Sequence, residues 1–347
     1  MDNPLERTLL WVLLIIAALS AGWLFLFVSE LSAVIVKANQ STSVTTELEE
    51  RLAILQNEHS KVVMLFVGDI MLSRSVGIRM ETVDDYRYPF LKVADILRGA
   101  DLVFGNLEGP ISDQGRNQGS IYSFRANPRV VEGLSYAGID VLSLANNHIW
   151  DWGTAALLDT VSILEGADIT PIGAGTNSKQ ANKPALFKIG KAKVAVLAYT
   201  TLLSKSLGAN SETPGLSTFD LARIKEVVSN LSKEGNLVVV SMHWGKEYET
   251  SANDLQRDIA KELIDSGVDI IVGHHPHVVQ ELEQYGNGWV AYSLGNFIFD
   301  QNFSEETMRG AILRVELDGG NIANVTLMPV RISSDFQASF EGSNIPQ

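Results

Sequence analysis

Five apolar runs of this chain each end in side chains that bind metals or move protons. The runs are 61–67, 101–104, 139–144, 237–242 and 268–272, and the polar side chains that follow them include Asp69, Asn106, Glu108, Asn147, His148, His243, His275 and His277. A short apolar run that stops at a glycine is typical of a buried strand that feeds a loop. In open α/β sheets, ligands collect at the carboxyl ends of such strands. The pattern therefore predicts an α/β fold with clustered polar side chains at one edge.

The histidines favour a metal site over a set of ordinary turn residues. Three of the six histidines lie within residues 274–277, and five of the six follow predicted strands. Neutral imidazole is a common ligand of metals such as zinc, and it also serves as a general acid or base near neutral pH. A single aspartate or asparagine after a strand is usually a turn former or a helix cap. Because five strand ends carry such residues, we predict a shared metal site.

Predicted strands and helices alternate along the rest of the chain. Residues 223–233 and 254–266 have helical spacing and lie between strands. Such alternation indicates a sheet that contains parallel strands. The chain has 347 residues, 46% of them hydrophobic, which is enough for one large domain with an appendage. We predict that the domain covers 61–332 and that a polar, poorly ordered tail follows at 333–347.

The order of the motifs resembles a known family. The matching strings are GDIMLSRSV (68–76), FGNLEGPIS (104–112), YSFRANP (122–128), NNHIWDWG (146–153), HWGKEYE (243–249), HPHVVQ (275–280) and SLGNFIFDQ (293–301). This series resembles the calcineurin-like metallophosphatase superfamily and, more closely, the poly-γ-glutamate capsule biosynthesis proteins of the CapA/PgsA type. The resemblance implies a metallophosphatase-like layered α/β sandwich.

The resemblance also implies a cofactor and roles for individual residues. It leads us to expect one or two divalent metal ions of the Mn, Zn or Fe type. The expected ligands are Asp69 and His277 for the first metal and His243 and His275 for the second, and Asn147 supplies a metal-binding amide. The histidine that protonates the leaving group in the superfamily corresponds to His148.

The sequence departs from the superfamily pattern at two positions. Met71 stands where many members have a ligand histidine, and Asn106 stands where they have a bridging aspartate. A neutral amide offsets the repulsion between two cations poorly, so we assign the bridge to Glu108 and keep Asn106 among the predicted metal ligands. A dinuclear site, catalysis by a single metal and a site without catalysis all stay open.

Further residues are predicted to orient or bind a substrate. Asp151 follows His148 by three residues and could orient it, or it could start the next helix. The predicted substrate-binding residues are Arg74, Arg125, Glu247 and Asn296. Arginine binds carboxylates and phosphates in a bidentate manner, although both arginines could instead form ordinary surface ion pairs. Glu247 and Asn296 are also of the type that orients metal-binding imidazoles.

The N-terminal part is predicted to be a membrane anchor. Residues 9–28 form an uncharged apolar segment of 20 residues within an anchor at 1–36, and a polar, partly helical stalk follows at 37–60. Such a segment is long enough to cross a hydrocarbon core of about 30 Å as a helix. A cleaved signal peptide is the alternative, but the apolar run continues past the faint processing site at 18–21. The basic residue Arg7 before the span favours a single-pass protein in the cytoplasmic membrane, with its soluble domain on the extracytoplasmic side.

Charge and motifs limit the function classes. The net charge of −14 argues against nucleic-acid binding, which usually needs a basic face. The sequence has no phosphate-binding loop of the Gly-x-x-x-x-Gly-Lys-Ser/Thr type, so an ATP-dependent ligase step would belong to another protein. The resemblance implies a polyanionic polymer such as poly-γ-glutamate as ligand, and synthase or export membrane proteins as partners. Two functions remain: a metal-dependent hydrolase, or a non-catalytic accessory subunit that binds the polymer.

Overall fold

The computed structural model describes residues 61–203 and 205–341 of the chain. The predicted anchor at 1–36, with its apolar span at 9–28, and the predicted stalk at 37–60 lie outside the described residues. Within the described ranges, every helix is too short or too polar to cross a membrane. The membrane anchor therefore stays a prediction from the sequence.

Strands and helices alternate through the described residues. The strands are β1 (Lys61–Ile70), β2 (Leu102–Leu107), β3 (Val141–Ser143), β4 (Thr170–Ile172), β5 (Ala174–Gly175), β6 (Ala185–Ile189), β7 (Ala192–Thr200), β8 (Gly215–Leu216), β9 (Leu237–His243), β10 (Ile270–His274), β11 (Leu282–Tyr285), β12 (Gly288–Ala291), β13 (Asn296–Ile298), β14 (Arg309–Asp318), β15 (Asn321–Ile332) and β16 (Ala338–Phe340). The helices are α1 (Arg74–Val83), α2 (Ala94–Arg98), α3 (Val131–Ala137), α4 (Gly153–Gly166), α5 (Ser178–Ala181), α6 (Leu221–Lys233) and α7 (Asp254–Asp265). The helices predicted at 223–233 and 254–266 correspond to α6 and α7.

Most of the strands form two large mixed sheets. The first has the order β16-β15-β14-β1-β2-β3-β4, with β13 also paired to β1, and the second has the order β11-β12-β10-β9-β7-β6. The central strands β1 to β4 run parallel, as do β7, β9 and β10. Antiparallel hairpins extend both sheets at their edges. The prediction of a sheet with parallel strands is confirmed.

Neighbouring residues of β1 point into different cores. Met64 and Phe66 pack in the layer between the sheets, together with second-sheet residues such as Val239. Leu65 and Val67 pack on the other face, against helices α1 to α4. Because every second side chain of a strand faces the same way, one central strand serves both cores. Fully burying a side chain of this size stabilises the fold by about 1.5 to 3 kcal/mol.

Helices α6 and α7 cover the outer face of the second sheet. Their buried residues, including Val228 and Leu263, pack against alternate residues of β7, β9 and β10. Helix α7 begins with a capping box in which Asn253 and Gln256 each accept a hydrogen bond from the other's backbone N–H. The layers therefore run helices, sheet, sheet, helices, which is the layered α/β sandwich expected from the sequence.

The predicted domain end at residue 332 needs correction. Strand β16 pairs with β15 through Val330 opposite Phe340 and Ile332 opposite Ala338. Ala338 is fully buried against the first core. The turn at 333–337 returns the chain to the edge of the sheet, so residues 333–341 belong to the folded domain rather than to a tail.

Candidate metal centre

The carboxyl ends of parallel strands bring the predicted site residues together. Asp69 on β1 pairs with Asn106 on β2 and with Asn296 on β13. On the second sheet, His243 at the end of β9 pairs with His274 at the end of β10. The Nδ1 atom of His274 lies 3.2 Å from Oδ1 of Asp69, so the strand ends of both sheets contribute to one site.

Two glycines make the close approach of these strands possible. A Cβ atom at Gly68 would overlap the carbonyl oxygen of Gly295, and one at Gly273 would overlap that of Tyr292. Asp69 donates its backbone N–H to the same Gly295 oxygen at 2.9 Å. A glycine before Asp69 and another before His274 are therefore needed to bring both side chains into the site.

One group of potential ligands lies between the two sheets. Asp69, Glu108 and His243 each offer a ligand atom, and these atoms all lie within 4.8 Å of one another. All three side chains are buried. Nε2 of His243 lies 3.9 Å from Oε1 of Glu108 and 2.7 Å from Oδ1 of Asn147. Ligand atoms bound to one ion at about 2.1 Å are about 3 to 3.5 Å apart, so this group is near the spacing that a metal requires.

A second group contains a residue that was predicted to bind substrate. Glu247, His275 and His277 also offer ligand atoms within 4.8 Å of one another. Glu247 lies on the loop after β9, where the turn at Gly245 takes the left-handed φ of 84°. A carboxylate beside two imidazoles suits a cation better than an anionic polymer, so Glu247 is also a candidate metal ligand. Its predicted contact with substrate stays a prediction.

The two groups lie close enough to share residues. The ring centroids of His243 and His275 are 5.0 Å apart, and those of His275 and His277 are 5.9 Å apart. Nδ1 of His277 lies 3.1 Å from Oδ2 of Asp69. These distances are compatible with the expected pairing of Asp69 with His277 and of His243 with His275, as well as with the two groups above. The assignment of ligands to separate metals stays a prediction.

Asn106 connects two carboxylates in this structure. Its amide nitrogen donates to Oδ1 of Asp69 at 2.8 Å and to Oε2 of Glu108 at 2.7 Å. Its oxygen accepts from Asn146 at 3.1 Å. All the polar atoms of this amide therefore have partners in the protein, and Asn106 holds together the two acidic side chains that a bridging aspartate would repel.

The other departure from the superfamily pattern lies in the core. Met71 is fully buried, and its sulfur accepts hydrogen bonds from the backbone N–H and the hydroxyl of Ser73. The Met71 side chain is therefore hydrogen-bonded to the residue that precedes α1. It packs with the first core cluster.

Burial and neighbouring charges separate the pKa values of the acidic residues. Burial alone would raise the pKa of Asp69, but the contacts with His274 and His277 hold it well below its usual range. Burial, followed by the charge of Asp69, raises the pKa of Glu108 to about 7. Asp69 is therefore the ionised member of the pair, and Glu108 is the one that exchanges a proton near neutral pH when the site holds no cation.

Burial and neighbouring charges also separate the pKa values of the histidines. Burial lowers the pKa of His243 well below its usual value, and the charge of His275 lowers it further. Burial, followed by the charge of His277, lowers the pKa of His275 to about 3. Burial would also lower the pKa of His277, but its hydrogen bond with Asp69 raises it. His243 and His275 are therefore neutral imidazoles, the form that binds a metal.

Unsatisfied polar atoms show that the residues fit a cation. Among the described residues, Oε1 of Glu108 and the Nδ1 atoms of His243 and His275 are buried without a hydrogen-bond partner. Leaving a buried polar group without a partner costs about 1 to 3 kcal/mol. A divalent ion between the two sheets would give Oε1 of Glu108 a partner, with Nε2 of His243 as the ring nitrogen that faces it. The mixed oxygen and nitrogen donors suit Mn, Zn or Fe. The chain thus contains a possible metal-binding cluster.

His148 and Asp151 form a pair next to this cluster. Nδ1 of His148 lies 2.8 Å from Oδ2 of Asp151, and the same oxygen accepts the backbone N–H of Phe124 at 2.8 Å. The Phe124 ring lies 4.1 Å from the His148 ring. Helix α4 begins at Gly153 without a side-chain cap, so the alternative role of Asp151 as a helix start is wrong.

The two predicted substrate arginines have different surroundings. Arg74 lies at the start of α1, where Nε contacts Oδ2 of Asp300 at 3.2 Å and 40% of its side chain stays exposed. Its guanidinium lies 5.4 Å from the Phe124 ring, which also packs on His148. The guanidinium of Arg125 instead lies 3.5 Å from the Trp152 ring. Arg74 is therefore the arginine whose contacts lead directly to the site.

Asn296 holds an imidazole and does not lie open to a substrate. It is fully buried, and its oxygen lies 3.1 Å from Nδ1 of His277. Its amide nitrogen donates to Gln301 and to the carbonyl oxygen of Thr307. The predicted role in substrate binding is corrected on this ground: with these hydrogen bonds made, Asn296 positions His277.

His274 is the site residue that the sequence predictions left without a role. It is fully buried, and its Nδ1 lies 3.2 Å from Asp69 but not in a hydrogen-bonding direction. Its ring lies 6.0 Å from that of Phe104, in the layer between the sheets. The signal was present in the run at 274–277, where His274 directly precedes the two predicted ligands.

Strained backbone is concentrated around the site. Arg74, Tyr248, His275 and His277 all have positive φ values, of 52°, 63°, 96° and 59° respectively. Such conformations cost about 1 to 3 kcal/mol each and occur most often at functional sites. The fold therefore maintains an unfavourable local geometry at the positions that carry the candidate ligands and Arg74.

The chain is similar in sequence to proteins of a known family. The family model described as bacterial capsule synthesis protein PGA_cap matches residues 63–301. The capsule biosynthesis protein CapA of Bacillus anthracis is 35% identical over 289 residues, which cover 80% of this chain and 69% of that protein. The PGA biosynthesis protein CapA of Bacillus subtilis is 33% identical over 288 residues, which cover 81% of this chain and 74% of that protein.

The solved structures that match this chain are more distant. The NAD nucleotidase of Haemophilus influenzae has a TM-score of 0.47 and 13% identity, covering 82% of this chain and 54% of that chain. A 5'-nucleotidase precursor from Thermus thermophilus has a TM-score of 0.48 and 14% identity, covering 81% of this chain and 54% of that chain. This chain thus spans about half the length of these two solved chains. The match to the family model and the identity to the two Bacillus proteins show that the chain belongs to the bacterial capsule synthesis protein PGA_cap family.

Proposed function

We propose that this protein acts in capsule or poly-γ-glutamate synthesis through a metal-dependent hydrolase-type site. The process is inferred from its family and from the names of its Bacillus relatives. The observation that carries the chemistry is the convergence of buried carboxylates and neutral imidazoles, in which Asp69, Glu108 and His243 offer ligand atoms within 4.8 Å. Such a donor set suits a divalent cation better than it suits a purely structural core.

Seven residues would hold the metal or metals. They are Asp69, Glu108, Asn147, His243, Glu247, His275 and His277. A divalent cation held by them would supply Lewis-acid activation and stabilise developing negative charge. Asn106 and Asn296 would keep the ligands in place through the hydrogen bonds that they make to Glu108 and His277.

His148 would supply the proton for the leaving group. With Asp151 accepting at Nδ1, the proton on that nitrogen is fixed and Nε2 is left to exchange a proton with a substrate. The Phe124 backbone N–H holds the carboxylate of Asp151 in place, so the imidazole keeps one orientation. Arg74 would bind an anionic group of the substrate at the exposed side of the pocket.

An accessory role without catalysis is the second candidate. The specific observation in its favour is Asn106, because a neutral amide between Asp69 and Glu108 weakens the case for two closely spaced cations. In that role, the same pocket would bind the polymer while other proteins catalyse its synthesis. One relative, from Mycobacterium tuberculosis, is named as a probable polyglutamine synthesis accessory protein and is 27% identical over 289 residues.

The proposal includes a location. The apolar segment at 9–28 would anchor the chain in the cytoplasmic membrane, with the domain on the extracytoplasmic side. Membrane synthase or export proteins would then be partners, and nucleic acid would not. Protease added to spheroplasts should digest the domain, whereas protection of the domain would overturn this orientation.

An assay of the purified full-length chain separates the two functions. Metal content would be measured first, and cleavage of γ-linked oligoglutamate and of a generic phosphodiester would follow with the metal-loaded protein. A hydrolase should turn over one of these substrates, and His148→Ala should abolish that turnover. Binding of the oligomer without turnover by the metal-loaded wild type would favour the accessory role.

A further inference from the structure

We propose that Tyr248 and Phe303 form an apolar platform beside the metal centre, which binds the methylene segments of a γ-glutamyl chain while Arg74 binds a carboxylate of the same chain. The substrate class rests on the proposed function. The platform itself rests on the positions and exposure of the two rings. The two exposed aromatic side chains, which take no part in the metal chemistry, would thus bind substrate.

The two rings are exposed and in contact with each other. Tyr248 is 45% exposed and Phe303 is 65% exposed. Their ring centroids are 5.3 Å apart with an interplanar angle of 83°, an edge-to-face arrangement. Large apolar side chains are normally exposed singly, and an adjoining pair at the edge of a polar site indicates a binding surface.

The platform is continuous with the candidate metal ligands. The Tyr248 ring centroid lies 6.2 Å from that of His277. The Tyr248 backbone N–H donates to the carbonyl oxygen of Pro276 at 2.8 Å, which ties this residue to the loop that carries both ligand histidines. A chain that is bound on the rings would therefore reach the metal centre directly.

Hydrogen bonds hold the Tyr248 ring in a fixed place. Gln301 donates from Nε2 to the Tyr248 hydroxyl at 3.3 Å and accepts from Asn296 at 3.1 Å, and Asn296 in turn contacts His277. The φ of 63° at Tyr248 is a conformation that non-glycine residues rarely adopt. Both features pre-organise the ring and reduce the ordering cost of binding.

The charge next to the platform suits an anionic chain. The side chain of Arg74 is 40% exposed and pairs through Nε with Asp300, whose own side chain is only 2% exposed. The guanidinium offers five N–H donors, and its remaining donors can bind a carboxylate. In a γ-linked glutamate chain, each carboxylate is separated from the next by a methylene pair and an amide. The charge of Arg74 acts on the Tyr248 hydroxyl, so this arginine lies near the platform. A cation near apolar rings matches that alternation, whereas an anion without methylenes would gain little from the rings.

Titration of the metal-loaded, full-length protein with a fluorescent γ-linked glutamate oligomer tests the platform. Tyr248→Asn removes the ring and tolerates the positive φ, and Phe303→Ala removes the second ring. Each should weaken binding about 3- to 10-fold, the range expected for losing one aromatic contact. Tyr248→Phe keeps the ring and should bind within about 2-fold of the wild type.

Leu186→Ala is the matched control, because Leu186 is 62% exposed and lies on strand β6, at the edge of the second sheet. This variant should bind like the wild type. Metal content and the midpoint of thermal unfolding must be unchanged in each variant that is compared. Equal affinity of the wild type, Tyr248→Asn and Phe303→Ala would overturn the platform, as would an equal loss in Leu186→Ala.

Salt dependence separates the rings from the arginine. The fold-loss in Tyr248→Asn should be the same at about 0.05 M and about 0.5 M salt, whereas the loss in Arg74→Gln should shrink at the higher salt. A ring effect that disappears at high salt would overturn the apolar contact. Ring-dependent binding without any turnover would support the platform and would contradict only the hydrolase function. If the wild type does not bind the oligomer at all, the platform is overturned, whatever substrate the enzyme hydrolyses.

Discussion

Nδ1 of His148 lies 2.8 Å from Oδ2 of Asp151, and that same oxygen also accepts the backbone N–H of Phe124. The carboxylate is thus held by the chain segment that precedes the site, and the imidazole is held by the carboxylate. His148 is 7% exposed and Asp151 is 4% exposed, so little water competes for this contact. This arrangement is the one that the proposed general acid requires.

Replacing His148 by alanine should stop turnover without removing metal. General acid catalysis contributes about 10² to 10⁴ in rate, so kcat should fall by that factor. Asp151→Asn should lower kcat less, because the imidazole is still present although the carboxylate that orients it is gone. Steady-state kinetics and metal analysis of the same preparations check both variants. Loss of metal from His148→Ala would mean that His148 is a ligand.

Replacing His275 by alanine should have the opposite effect. His275 lies among the potential ligands with Glu247 and His277, and burial keeps its pKa at about 3, so it is neutral and ready to bind a cation. We expect His275→Ala to lose most of at least one equivalent of metal after dialysis. Mass-spectrometric metal analysis of His275→Ala, with His148→Ala measured in parallel, checks this loss. Full metal retention in His275→Ala would remove it from the ligand set.

Asn106→Asp should destabilise the metal-free protein. The amide of Asn106 donates to Asp69 and Glu108, and a carboxylate there would replace two buried hydrogen bonds with repulsion. Adding an uncompensated buried charge costs about 3 to 5 kcal/mol, and excess divalent cation should offset much of this. Urea unfolding with and without metal measures both effects.

Asn324→Asp is the control for that substitution. Asn324 also donates to a glutamate, Glu316, at 3.0 Å, but on the surface. Its replacement should change the free energy of unfolding by about 0.5 kcal/mol or less. Equal effects of the two substitutions, or no rescue of Asn106→Asp by metal, would contradict the role given to Asn106.

Glu108 should make the metal-free protein less stable as the pH rises. Its pKa is about 7 in the folded state against 4.5 when unperturbed, so between these values the folded chain holds a proton that the unfolded chain has lost. The unfolded state then binds fewer protons, and the free energy of unfolding falls with rising pH, by about 3 kcal/mol over the interval. The free energy of unfolding would be measured against pH for chelator-treated wild type and for Glu108→Gln. The wild type should show this fall with rising pH, and Glu108→Gln should not. Parallel curves would show that Glu108 does not titrate in this range.

Much of the fold and part of the site followed from local patterns. Asp69 and His243 were predictable because each ends an apolar run, and parallel strands place their carboxyl ends together. The place of Glu247 beside His275 and His277 could not be predicted, because it depends on the turn at Gly245, which no periodicity reveals. Asn296 reaches His277 only because β13 pairs with β1 across more than two hundred residues, with Asn296 opposite Asp69.

The hydrogen bonds of Asn106 could not be read from the sequence either. An asparagine offers both donors and an acceptor, and its role depends on which atoms surround it. Asp69 and Glu108 accept from its nitrogen, and Asn146 donates to its oxygen. Two of these partners come from other strands or loops, so the role depends on tertiary contacts rather than on spacing along the chain.

Anomalous diffraction from a crystal of the Mn²⁺-loaded protein tests the central claim most directly. The account predicts a strong anomalous peak between Asp69, Glu108 and His243, with bonds of about 2.0 to 2.2 Å, and a second peak near His275 and His277 if the site is dinuclear. His148 should lie beside the peaks without bonding to them. The absence of any peak among these residues, under conditions in which Mn²⁺ is ordered elsewhere in the crystal, would contradict the metal centre.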